Sequence, residues 1–172
     1  MRRFPLYPAM LAAALWLAAG AAAASLEVYG SKEGDYAVDF PARPQEEIEN
    51  GGNFRLVSHA LSHDGAIYIA AHGDFAEPVK ADLELDANID NYVNAIRGCR
   101  VTWRGALAFA RGARPLPAKQ FLYESEQLTG KGYVVVDGSS SYLVAVSVLR
   151  PNRRERAAEG FLASFTLLPK KD

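Results

Sequence analysis

From Tyr142 to Leu149 the chain is apolar on both faces of an extended strand. Tyr142, Val144, Val146 and Val148 fill one face, and Leu143, Ala145 and Leu149 fill the other. A strand of this kind belongs in the middle of a sheet covered on both sides, so the rest of the chain must supply that cover. Tyr133 to Val136 precedes it across Asp137-Gly138-Ser139-Ser140, which predicts a hairpin. Arg55 to Ser62 and Ala66 to His72 flank His63-Asp64-Gly65, and Asp-Gly between two strand-like runs predicts a second hairpin. Tyr36, Val38 and Phe40 alternate with Ala37 and Asp39 and stop at Pro41, the mark of a strand ended by proline.

Two helices are predicted as the cover. Leu85, Ile89, Tyr92, Val93 and Ile96 recur at helical spacing, with Gly98 placed to terminate them. Near the C-terminus Asn152 is placed to cap a helix with Glu155 returning the bond, and Ala158, Phe161, Leu162 and Phe165 form its stripe. Between them Cys99, Val101 and Trp103 alternate with Arg100, Thr102 and Arg104, which predicts a half-buried strand with Cys99 and Trp103 on its apolar side. Lys119 to Glu124 is a further strand. The expected class is α+β: a central antiparallel β-sheet with helices packed on it.

The N-terminus carries an address. Arg2 and Arg3, an apolar run from Ala9 to Ala19 and the small-residue site Ala22-Ala23-Ala24 make a secretory signal peptide over residues 1–24, with cleavage before Ser25. The apolar run is shorter than the roughly 20 residues a spanning helix needs, so no membrane-spanning segment is expected. Residues 25–172 are then a single α+β domain, periplasmic or secreted. Cys99 is the only cysteine, so no intramolecular disulfide forms and the core alone supports the fold.

A formal net charge of −1 conceals an asymmetry. Residues 25–96 hold fourteen acidic and four basic side chains, residues 97–172 six acidic and thirteen basic. Interleaved over one surface, these charges only keep the protein soluble. Gathered on one face, Arg97, Arg100, Arg104, Arg111 and Arg114 would meet an anionic or protein partner in the cell envelope. The segment Arg111 to Pro117 reads as an irregular loop, the kind of element that carries recognition. Nucleic acid is not an expected partner outside the cytoplasm.

Candidate chemistry is sparse. A two-residue turn at Asp64-Gly65 would set Ala70 opposite His59 and Val57 opposite His72, leaving the two imidazoles diagonal neighbours on one face. With Asp74 they are the weak metal candidates, since a catalytic zinc needs three protein ligands and an open position. Asp86, Asn88 and Asp90 imitate a calcium loop, but Asn91 stands where that loop needs Gly, and Arg97 where it needs Glu. Ser139 to Ser141 follow a turn, and no G-x-S-x-G elbow occurs in residues 25–172. Cys99, beside Val101 and Trp103, reads as a small buried hydrophobe. No phosphate-binding glycine loop is present and no cofactor is implied.

The run Gly34-Asp35-Tyr36-Ala37-Val38-Asp39-Phe40-Pro41 with Pro44, and the terminal Gly160-Phe161-Leu162-Ala163-Ser164-Phe165, resemble the start and end of domains of the PsbP-like superfamily, which includes bacterial periplasmic proteins of the DcrB type. The resemblance spans about residues 26–168 and implies an α/β/α sandwich around a central antiparallel sheet. The superfamily shares no catalytic residues, so the resemblance implies no site. The expected function is a non-catalytic exported binding or assembly module; the alternative is a small hydrolase or metal-dependent enzyme using the His59/His72 hairpin.

Overall fold

The computed structural model describes residues 27–31, 34–150 and 155–170. The expected leader over residues 1–24, its cleavage point before Ser25, and Asn152 as a helix cap lie outside the described residues.

Among the described residues the elements run β1 (Glu27–Ser31), β2 (Tyr36–Phe40), β3 (Gln45–Asn50), β4 (Phe54–His63), β5 (Ala66–Phe75), α1 (Ala81–Ala95), β6 (Arg100–Ala106), β7 (Phe109–Arg111), β8 (Arg114–Leu116), β9 (Ala118–Glu124), β10 (Leu128–Asp137), β11 (Ser140–Leu149), α2 (Glu155–Ser164) and β12 (Thr166–Leu167). A seven-stranded antiparallel sheet has the order β3-β4-β5-β11-β10-β9-β6. Strands β1, β2 and β12 form a smaller sheet, and β7 pairs with β8.

The two-faced strand takes the centre. β11 is buried at every residue from Ser140 to Val148, and its alternation feeds two cores. On one side Tyr142, Val144 and Val146 meet Tyr36, Val38 and Phe40 of β2 and Phe161, Leu162 and Phe165 from the α2 region. On the other side Leu143 and Ala145 join Val134 and Val136 of β10 beneath Leu85, Ile89, Tyr92 and Val93 of α1. Burying each such side chain contributes roughly 1.5–3 kcal/mol at most, so both layers are needed for a stable sheet.

Local chemistry sets the pairing. Asp64 (φ 52°) and Gly65 (φ 75°) both occupy the left-handed region, the conformation of a type I′ turn whose twist suits two paired strands. That turn fixes the β4–β5 register, with His59 opposite Ala70 and Val57 opposite His72.

Two sequence expectations are corrected. The expected loop from Arg111 to Pro117 is largely a hairpin, with Phe109–Arg111 paired to Arg114–Leu116; strands of three residues are too short to show a period. The second correction concerns Trp103. The β6–β9 register slips between Val101 and Trp103, so that Val101 opposes Tyr123 whereas Trp103 opposes Leu122. A one-residue bulge reverses the facing of everything after it. Val101 packs against the α1 core, while Trp103 turns outward and is 47% exposed. Cys99 is half-buried against the same core, and burial raises its thiol pKa.

Candidate functional site

Helix α1 covers only part of its side of the sheet. Its apolar stripe lies over β9, β10 and β11, and the neighbouring face of β4 and β5 carries Leu56, Ala71 and Gly73 with no helix directly over them among the described residues. The result is a groove of about 910 Å³ between the first half of α1 and the sheet. Phe54, Leu56, Phe75, Val79, Leu83 and Leu143 supply its apolar walls. Small residues at Ala71, Gly73 and Ala87 leave the volume unfilled. Leu83, on the helix side, is 63% exposed and carries the apolar wall out to the rim of the groove.

One polar cluster lies in the groove. Asn88 Nδ2 donates to Ser141 Oγ at 3.1 Å, tying α1 to the central strand. The same amide nitrogen donates to Glu84 Oε1 at 2.7 Å. Burial raises the Glu84 carboxyl pKa, partly offset by the Asn88 hydrogen bond. Glu49, Glu77 and Lys80 complete the charged lining. Glu49 faces the groove because the β3–β4 register sets it opposite Leu56.

The two histidines singled out from sequence are diagonal neighbours, as the hairpin register requires, but they are buried at 1% exposure beneath β1 and β2. His59 Nδ1 is 2.7 Å from the Tyr36 hydroxyl, and its Nε2 is 2.7 Å from the Tyr29 hydroxyl and 2.9 Å from Glu46 Oε2. A carboxylate only accepts, so a neutral ring carries its proton on Nε2 and takes the Tyr36 hydroxyl at Nδ1. Burial raises the Tyr36 phenol pKa, which keeps it a donor. Both ring nitrogens are thus committed to joining the two sheets.

His72 Nε2 lies 3.7 Å from Asp74 Oδ2, and Ser140 Oγ donates to Asp74 Oδ1 at 2.8 Å. In a hydrolytic triad the serine bonds to the imidazole and the carboxylate orients that imidazole from behind. Here Ser140 bonds the carboxylate and not the imidazole, so the arrangement is not that of a triad. Among the described residues no three His, Cys, Asp or Glu side chains are placed to hold a metal ion. His59, His72 and Asp74 are not brought together as a metal set, because His59 turns to Tyr36 and Glu46 while Asp74 lies beyond His72.

The five arginines do not form one basic face. Arg97 is exposed after α1. Arg100 meets Glu124 at 3.0 Å, whereas Arg104, beyond the bulge, turns to the other side and contacts Asp86 at 3.3 Å and Asp90 at 2.6 Å on α1. Arg111 is buried: its Nη1 lies 3.0 Å from Asp137 Oδ2, and its Nη2 donates to the Tyr142 hydroxyl at 2.7 Å. Arg114 reaches Asp137 Oδ1 at 2.5 Å. Carboxylates spaced far along the sequence divide the cluster, which spacing alone does not reveal.

A seven-stranded antiparallel sheet, α1 on one side and α2 with a small sheet on the other, defines a PsbP-like α+β module with an open groove beside α1. The solution structure of cyanobacterial PsbP (CyanoP) from Synechocystis sp. PCC 6803 has this fold, with a TM-score of 0.53, 13% identity, and 89% of this chain matched to 98% of that one. LpqN of Mycobacterium tuberculosis, described as involved in cell envelope biogenesis, overlaps at a TM-score of 0.41 and 12% identity over 76% of this chain and 87% of its own. No protein-family model and no curated protein matches the chain.

Proposed function

We propose that this protein is a non-catalytic binding module, exported to the periplasm or beyond, that holds an apolar segment of another molecule in the groove between α1 and strands β4 and β5. The observation that carries the reading is the groove itself. It is about 910 Å³, walled by aromatic and aliphatic side chains, with one convergent polar cluster at Glu84, Asn88 and Ser141. Those are the features of a ligand site. The polar groups nearest to catalytic chemistry support binding over reaction: His59 has both nitrogens engaged, and Ser140 bonds a carboxylate rather than an imidazole. Export is supported by Arg2, Arg3 and the Ala22-Ala23-Ala24 site. Arg97, Arg100 and Arg114 are exposed, the last two each also paired to a carboxylate, and are the part of the arginine segment open to an anionic partner in the cell envelope.

The test is fluorescence of a neutral apolar dye, N-phenyl-1-naphthylamine, titrated with residues 25–172. Binding should be saturable and should disappear in Ala87→Trp, which fills the groove from the exposed helix surface. A dye signal unaffected by that substitution, with the melting curve unchanged, would exclude the groove. Mass measurement of the naturally produced protein should show a chain beginning at Ser25; a species retaining Met1 would remove export from the reading.

A further inference from the structure

The groove's charge and the edge beside it identify what it holds. We infer that the occupant is a peptide segment of a partner protein, apolar along the groove and carrying Lys or Arg where it passes the carboxylates. The inference rests on the groove being the binding site and adds the chemistry of the ligand.

Three observations carry it. The groove lining holds three carboxylates, Glu49, Glu77 and Glu84, against one ammonium, Lys80. Glu47 shares the face of Glu49, opposite Ser58 in the β3–β4 ladder, and extends the acidic field along the edge strand. An apolar ligand with a cationic group is drawn to such a site, while an anionic amphiphile is repelled. A cation beside Glu84 would also offset the burial that raises its carboxyl pKa.

The remaining observations separate a peptide from a lipid or small apolar molecule. Asn53 and Asn91 line the groove beside Asn88, whose amide nitrogen is already engaged by Glu84 and Ser141. Carboxamides both donate and accept, which matches the alternating N–H and C=O of a main chain and has no counterpart on an acyl chain. Among the described residues strand β3, which contributes Glu49, is at the edge of the large sheet and pairs within it only with β4. Its outer edge therefore faces away from the ladder, where a chain leaving the groove finds main-chain partners. The carboxylates on β3 discourage pairing with another acidic edge and select a basic one.

The experiment uses two synthetic peptides of about ten residues built to lie extended, with leucine at alternate positions and either lysine or glutamate between them. Each is titrated against residues 25–172 already loaded with N-phenyl-1-naphthylamine. The leucine–lysine peptide should displace the dye, with affinity falling about tenfold or more as salt rises through the range in which the Debye length shrinks from about 10 to about 3 Å. The leucine–glutamate peptide should not displace it. Charge reversal in a Glu49→Lys, Glu77→Lys variant whose melting curve is unchanged should weaken the lysine peptide about tenfold or more and favour the glutamate peptide. Equal displacement by both peptides, or displacement by the neutral detergent dodecyl maltoside and by neither peptide, would overturn the inference while leaving the groove as a binding site. Failure of the dye itself to bind would overturn the site.

Discussion

The hydroxyl of Tyr36 lies 2.7 Å from Nδ1 of His59, inside the interface between the small sheet and the large one. Tyr36 is fully buried and His59 nearly so, so no water replaces either partner if one is removed. Tyr36→Phe should cost about 1–3 kcal/mol, because a buried ring nitrogen is left without its donor. Tyr29→Phe should cost less, since Glu46 still engages the same His59 nitrogen at 2.9 Å. Denaturant unfolding of the two variants checks the order; equal losses would place the coupling elsewhere.

Asp137 is a buried carboxylate among three cations, with Arg111 at 3.0 Å, Arg114 at 2.5 Å and Lys170 at 3.8 Å. Asp137→Ala should destabilise by about 3–5 kcal/mol, because it strands the buried Arg111 guanidinium. Arg114→Ala should cost less, about 1–3 kcal/mol, since that side chain is itself largely exposed and its loss leaves only Oδ1 of Asp137 without a donor. The comparison separates burial from ion pairing, and similar losses would refute the difference.

Glu84 gives stability a pH dependence of unusual sign. Burial raises its carboxyl pKa in the folded chain, so the folded state binds the proton more tightly than the unfolded state. Stability from this group falls as pH rises through the interval between the unfolded and folded pKa values, and above both the ionised carboxylate opposes folding. Glu84→Gln keeps an acceptor for Asn88 and removes the charge. It should raise the melting temperature at neutral pH, with the gain shrinking as the solution is acidified. A variant less stable than the parent at pH 7 would contradict the assignment.

Gly130 sits directly opposite Tyr123 in the β9–β10 ladder. A Cβ on Gly130 would fall 2.1 Å from the Tyr123 ring, whose hydroxyl is 2.9 Å from Tyr92 and 2.7 Å from Ser147. Gly130→Ala should therefore cost about 1–3 kcal/mol, the usual range for overpacking, and Tyr123→Ala should make the glycine position tolerant. Additive losses in the double variant would show that the ring has room to move.

Much of the architecture was legible because its signals are local. Asp64-Gly65 and Asp137-Gly138 mark their turns by residue type, the two-faced run marks the central strand, and Leu85, Ile89, Tyr92 and Val93 mark α1. Strand β3 was not legible: Ile48 is the only large apolar residue in Gln45–Asn50, so an edge strand facing solvent has no alternation to read. The bulge in β6 was invisible for another reason. Cys99, Val101 and Trp103 show a clean period of two, and only the pairing with β9 reveals the slip. The groove escaped sequence reading because it is a volume left where Ala71, Gly73 and Ala87 meet Glu49 of β3 and Leu143 of β11, elements far apart in the chain.

The large sheet consists of two ladders meeting along one seam, β5 against β11, where Asp74 and Ser140 pair across 66 residues of chain. The hairpins β4–β5 and β10–β11 each start from a two-residue turn and can form within about 1–10 μs. The seam must wait for a long loop to close, so it governs how fast the whole molecule assembles. It also joins the acid-rich first half of the chain to the base-rich second half. Attraction between the unfolded halves draws the seam together, and added salt should slow refolding by weakening that encounter.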